Sequence, residues 1–311
     1  ESGAVLLLDA QWLTHLAGSE GATLLPRQAL PDDAFLSLSE VKSETHCHRA
    51  YSILRIACVS HCWLQPDHPD PLGSNLRVLS HCLNLVTATT WRDYGGRWAV
   101  FLDFCSLHQC CRDAKGEPQD RALRFAEDSN ADSIGRFASE DVLFQEALSS
   151  LGTFYAHPST MVFLLSALPS DYEDPHRYKR SANCKGFFDR GWCYCEFAWA
   201  TMVKDQMLLL DLGRADGTED SFSDMVEHCA KGATAPVTVA KFTEQLAQKS
   251  FSCRSADQAR VAQLYAASFA QCFGAAEALV YIMLGFGDSD AEIVAEILQS
   301  RAAPRLKRLE F

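Results

Sequence analysis

The sequence predicts an α/β fold: a mostly parallel sheet with helices on both faces, followed by a small helical C-terminal region. Three observations predict it. Short apolar runs without alternation recur at 53–60, 98–103, 160–166 and 206–210, as expected of strands buried on both faces. Amphipathic helical patterns separate them, which suits crossover connections. Past about residue 250 the runs give way to Ala-rich helical segments.

The first fifty residues mix Pro26, Pro31 and Asp32 with modest apolar content, and read as a segment (1–50) wrapping the domain. Within it AVLLL (4–8) suits a short strand or the start of a helix through Trp12 and Leu16. THCHR (45–49) places His46, Cys47 and His48 together, a group that would need further ligands to hold a metal. ILRIACVS (53–60) is the first central strand and ends in a loop rich in Pro, Asp and His. Ser74 is placed as the N-cap of a helix carrying Leu76, Leu79, Leu83 and Val86. WAVFLD (98–103) is the second strand; the charged stretch 113–130 reads as an exposed loop. A helix is expected over 133–155, with its start near Asp132 or Ser139, then the strand TMVFLLS (160–166) and a long loop, 167–189. A helix over 191–204 leads into the strand QMLLL (206–210). Beyond it come a short helix at 221–229, an edge strand PVTVA (236–240), and helices at 255–273, 275–284 and 288–300. The expected divisions are therefore 1–50, an α/β domain at 51–245, and a helical region at 250–311.

In such sheets ligands sit beyond the carboxyl ends of the strands. Ser60 to Trp63, Asp103 to His108, Ser166 and Arg190 to Glu196 all map there. Within RGWCYCEFAWATMVKD, Trp192, Glu196, Trp199 and Val203 fall on one helix face. Glu196 is thus an acid within an apolar stripe. It reads either as a carboxylate in the first helical turn, favoured by unpaired N–H groups, or as a carboxylate lining a cleft and stabilising developing positive charge.

The 311 residues carry 28 basic and 40 acidic side chains, a formal net charge of -12. No Lys/Arg stripe with interleaved aromatics is present, so nucleic acid is not an expected partner. Nor is a membrane, since no apolar run reaches about 18 to 20 residues. The chain begins at Glu1 without a basic leader, which reads as a trimmed or processed product. Thirteen cysteines, an odd number scattered through apolar runs, fit a reducing, cytoplasmic setting. Cys105, His108, Cys110 and Cys111, with Cys184, Cys193 and Cys195, lack paired Cys-x-x-Cys spacing; no metal is assigned. Neither Gly-x-Gly-x-x-Gly nor a phosphate loop is present. Ser60 and His61 lack the Gly-x-Ser-x-Gly elbow of a hydrolase triad.

Three segments carry a resemblance. IACVSHCW, FLDFCSLHQ and RGWCYCEF resemble motifs of the Toll/interleukin-1-receptor (TIR) domain superfamily and its heterokaryon-incompatibility (HET) relatives, over roughly residues 53 to 240. The last is similar to Ser-x-Trp-Cys-x-x-Glu-Leu, with Phe197 in place of the aliphatic. The resemblance implies a flavodoxin-like sheet and, in members that cleave NAD, a catalytic glutamate that carries over to Glu196. NAD is then a substrate, with no prosthetic group. Ser60, His61, Trp63, Asp103, Ser106 and Trp192 are the expected contacts with it. The tail from Gly285 resembles the entry to a leucine-rich repeat, implying a sensor region in a longer protein. The resemblance further implies self-association and a role in immune or cell-death signalling. A non-enzymatic scaffold, and an ADP-ribosyl transferase or cyclase, stay open as alternatives.

Overall fold

The computed structural model describes residues 2–44, 55–89, 96–123, 135–178, 185–204, 206–231, 234–251, 254–281 and 286–310. The His46–Cys47–His48 group and Cys184 lie outside them. In chain order the elements are β1 (Leu8–Asp9), α1 (Ala10–Ala17), α2 (Leu38–Glu44), β2 (Ile56–His61), α3 (Ser74–Ala88), β3 (Ala99–Leu102) and α4 (Asp103–Ser106). There follow α5 (Ala138–Ala156), β4 (Met161–Leu165), α6 (Gly191–Ala200), β5 (Leu209–Asp211), α7 (Phe222–Cys229) and α8 (Val239–Leu246). The chain ends with α9 (Arg254–Ala275), β6 (Ala278–Val280), α10 (Asp288–Gln299) and β7 (Arg308–Glu310).

The main sheet has the order β1-β3-β2-β4-β5. β2 through β5 are parallel, and β1 closes one edge antiparallel to β3, with Leu8 opposite Val100. AVLLL therefore yields a strand only at its end, and the helix begins directly after it, Asp9 accepting from Gln11 N at 2.7 Å. β2, β3 and β4 are buried along their whole length, which explains why they are apolar except for Ser60 and His61 at the exit of β2.

The period-2 alternation of the strands sorts their side chains onto two faces. Ala57, Val59, Val100, Leu102 and Phe163 pack with α1, α3 and α7. Cys58, Cys62, Phe101, Val162 and Leu164 pack with α5, α6 and α9. α6 is covered nearly all round: Trp199 is fully buried and stacks on Tyr155 at 6.2 Å. The helix starts where Gly191 meets the ring of Phe251; a Cβ there would lie 1.9 Å from Phe251 Cζ.

Several expectations are corrected. PVTVA is not an edge strand: the Thr238 hydroxyl accepts from Lys241 N at 3.4 Å and N-caps α8. Residues 275–284 do not continue a helix, because Ala278–Val280 pairs in parallel with Arg308–Glu310. Ser74 is the first helical residue of α3 rather than its cap; Gly73, at φ 66°, is the cap, and Asp70 accepts from Leu76 N at 2.7 Å. Of the two expected helix starts, the one near Ser139 is found: α5 starts at Ala138, where Glu140 accepts from Phe137 N at 2.9 Å. Of the charged stretch 113–130, residues 124–130 lie outside the described residues. At its near end Ala122 and Leu123 are buried.

Candidate functional site

β2 is the first parallel strand, and the chain crosses to β3 on one side of it and to β4 on the other. Such a reversal leaves a crevice at the carboxyl ends of the strands. Ser60, His61 and Cys62 leave β2 at that end, and Asp103 follows β3 immediately.

Alternation decides which groups meet. Ser60 shares the α6 face with Cys58 and Cys62. Its hydroxyl donates to Glu196 Oε2 at 2.5 Å, while two residues along the strand Cys62 Sγ lies 4.0 Å from Cys193 Sγ, one turn earlier on the helix. His61 points to the other face, where its Nε2 pairs with Asp103 Oδ1 at 2.9 Å. Asp103 also accepts from Phe104 N at 2.6 Å and from Trp63 Nε1 at 3.3 Å. Its backbone carbonyl accepts from Gln109 Nε2 at 3.0 Å.

Glu196 is the sixth residue of α6 and belongs to its second turn. The first-turn reading is therefore wrong; the N-terminal N–H groups of the helix do not account for this acid. It is instead a carboxyl group 8 % exposed within the helix–sheet interface. Burial pushes it up to about 8, the nearby Asp103 charge adds to the shift, and the Ser60 hydroxyl and His61 oppose it. At neutral pH it is mostly the neutral acid.

His61 and Asp103 behave in the opposite way. Burial pulls His61 down, but the charge and hydrogen bond of Asp103 outweigh burial and hold it above its ordinary value. Burial would raise Asp103; the His61 charge and hydrogen bond, the Phe104 N–H and the Trp63 N–H together hold it below the usual carboxylate range. The Asp103 side chain is one-third exposed, His61 only 3 %. The arrangement is thus an ion pair at the mouth and a neutral acid behind it.

Of the expected contact residues, Ser60, His61, Trp63 and Asp103 come together with Glu196. Trp192 lies half-buried against the α6 side of the core. Ser106 is turned to backbone: its hydroxyl accepts from Leu102 N at 3.1 Å, and its carbonyl accepts from Leu6 N and Arg27 Nη1. None of its hydrogen bonds reaches Glu196, His61 or Asp103.

Two features had no assigned role in the sequence reading. Arg190 is 6 % exposed, donates from Nη1 to the Trp63 carbonyl at 2.6 Å and from Nε to the Lys185 carbonyl at 2.8 Å, and leaves Nη2 buried without a partner. It ties the loops after β2 and β4 to the start of α6. The second feature is the thiol pair Cys62 and Cys193. Both lie inside quoted motifs, yet nothing local signals that they meet, because they are 131 residues apart.

Among the described residues, the cysteines weighed for zinc do not gather into a ligand group. Cys105 Sγ donates to the Leu25 carbonyl at 3.2 Å, and His108 packs toward Glu140. Among the described residues the group with metal-ligand proximity is Asp216, Glu219 and His228. Glu219 there accepts from Asp216 N, Gly217 N and His228 Nδ1, so hydrogen bonds already account for its position. Compared with known proteins, the chain matches no family model, no curated protein and no solved structure.

Proposed function

We propose that the chain is an NAD glycohydrolase that cleaves the bond between nicotinamide and ribose, with Glu196 as the catalytic carboxylate. The observation that carries the reading is the buried Glu196 carboxyl, hydrogen-bonded to Ser60 at the exit of the first parallel strand and flanked by the His61–Asp103 pair. The parallel strands run in the order β3-β2-β4-β5. This equals the first four positions of the flavodoxin-like order, and it supports the TIR-like reading of the three motifs.

In the reaction the C1′–N1 bond breaks and its electron pair stays with the ring nitrogen, so nicotinamide leaves neutral and needs no protonation. Positive charge moves onto the ribose, and a carboxylate close by stabilises it before water attacks C1′. A buried acid with a raised pKa suits a cationic substrate. Arrival of the pyridinium charge favours the ionised form of Glu196, so binding releases a proton and creates the carboxylate where it is used. In this reading Asp103 accepts from a ribose hydroxyl, and Trp63, whose indole N–H donates to Asp103, stacks on a ring of the substrate.

No helix among the described residues is long and apolar enough to cross a membrane; the reading places the protein in the cytoplasm. The parallel β6–α10–β7 unit supports the view that a leucine-rich sensor region follows in a longer protein, and self-association is the expected control. Incubation of the chain with NAD, beside Glu196→Gln, tests the reading. Nicotinamide released by the parent and not by the variant supports it. Turnover retained by a folded variant overturns it.

A further inference from the structure

The proposed reaction leaves one pair of nucleophiles without a use. Cys62 Sγ and Cys193 Sγ lie 4.0 Å apart at the base of the site, 2 % and 5 % exposed. Cys62 follows His61 at the exit of β2. Cys193 is in the first turn of α6, three residues before Glu196, and its thiol donates to the His61 carbonyl at 3.5 Å.

The surroundings of the two sulfurs differ. The Cys193 thiol, Arg190 and His61 together favour a thiolate at Cys62 despite burial. Cys193 is pushed up by its contact with Cys62 and by burial, and stays protonated. One sulfur is thus a nucleophile and the other a protonated thiol beside it, an arrangement shared by thiols that form disulfides. The remaining buried thiols contrast with it. Burial pushes Cys82, Cys105 and Cys195 up with no cation against it, and at Cys58, Cys111 and Cys229 burial outweighs the nearby Lys204, Arg112 and Arg214. A metal does not fit the pair, since zinc takes four ligands and among the described residues no third ligand group gathers around these two sulfurs.

We propose that Cys62 and Cys193 form a redox-modification site, at which a hydroperoxide converts the thiol pair into a disulfide tethering the exit of β2 to the first turn of α6. The Cys62 thiolate attacks one oxygen of hydrogen peroxide; the O–O bond breaks, Cys62 becomes a sulfenic acid, and the departing hydroxide becomes water by taking from solvent the proton that Cys62 had released. The Cys193 sulfur then attacks the Cys62 sulfur, the S–O bond breaks, and a second water leaves with the Cys193 proton. Two thiols are oxidised and one peroxide is reduced to two waters. Closing the gap from 4.0 Å to a bonded S–S distance needs about 2 Å of sulfur movement. The hydrogen bond from Cys193 to the His61 carbonyl is lost, and the new tether lies one turn from the Ser60–Glu196 bond. This inference is independent of the NAD reading.

The test is peptide mapping of the reduced full chain after treatment with an equivalent of hydrogen peroxide and alkylation of the remaining thiols in denaturant. The expected product is a single cross-link between the tryptic peptide holding Cys58 and Cys62 and that holding Cys193 and Cys195, with fragment spectra assigning it to Cys62 and Cys193. It is absent from Cys62→Ser and from Cys193→Ser. Recovery of both cysteines alkylated while other thiols oxidise, a bond assigned to Cys58 or Cys195, or oxidation of Cys62 to a sulfinic acid without cross-linking would each overturn the proposal. The map of the parent chain decides these outcomes even if a serine variant fails to fold.

Discussion

Replacing Glu196 by Gln should stabilise the protein, by an amount that grows with pH. In the folded chain the carboxyl is pushed from 4.5 to about 8, each unit being worth about 1.4 kcal/mol. Below pH 4.5 the acid is protonated folded and unfolded, and costs nothing. Between 4.5 and 8 the folded state holds one more proton than the unfolded state. Stability therefore falls as pH rises, by about 1.4 kcal/mol per unit, and the loss is complete above 8. At pH 7 the penalty is about 3 kcal/mol. Gln keeps a carbonyl that accepts from Ser60, and its amide carries no charge to desolvate. For a chain of this length an unfolding entropy of about 2 cal/mol/K per residue converts that penalty to a rise in Tm of about 4 to 5 °C. The assay is denaturant unfolding of both proteins at pH 5, 7 and 8.5. A parent–variant difference that increases across the series is expected. A difference independent of pH, or a variant less stable at pH 8.5, would refute the argument that burial controls this acid.

Three further outcomes are expected. Asp103→Asn removes the charge that, with its hydrogen bond, opposes burial at His61, so the His61 ring, followed by NMR, should titrate below its ordinary value instead of above it; an unchanged midpoint contradicts the pairing. Because catalysis uses ionised Glu196, kcat/KM for NAD should rise with pH until it levels off above about 8, and a profile falling over that range contradicts the assigned role. Gly191→Ala sets a Cβ 1.9 Å from Phe251 Cζ, which should cost about 1 to 3 kcal/mol as the ring is displaced; an unfolding midpoint equal to the parent's would show that the start of α6 is not packed as described.

How far the sequence could be read depended on whether a signal was local. The runs at 56–59, 99–102 and 161–165 are uniformly apolar because each strand is covered on both faces, and the ends of the first two placed Ser60, His61 and Asp103 on one edge. Glu196 stood out as an acid among aromatics. What misplaced it was counting: α6 begins at Gly191, so residue 196 lies in the second turn, beyond the free N–H groups. PVTVA looked like a strand through its β-branched residues, yet the Thr238 cap and the helix-forming residues after it decided the outcome. At Ala278–Val280 a distant partner decided it, since a short strand flanked by alanines forms only because Arg308–Glu310 returns to pair with it. The Cys62–Cys193 contact and the span of Arg190 across two loops are likewise products of the closed sheet, visible only once β2 lies beside α6.

The most direct measurement is the release of nicotinamide from NAD by the purified chain at low and high protein concentration, beside a folded Glu196→Gln variant. The account predicts turnover by the parent chain, rising more than in proportion to concentration if self-association completes the site, and none by the variant. Equal turnover by both proteins, or none by the parent at any concentration, would contradict the assignment of Glu196 as the catalytic carboxylate of an NAD glycohydrolase.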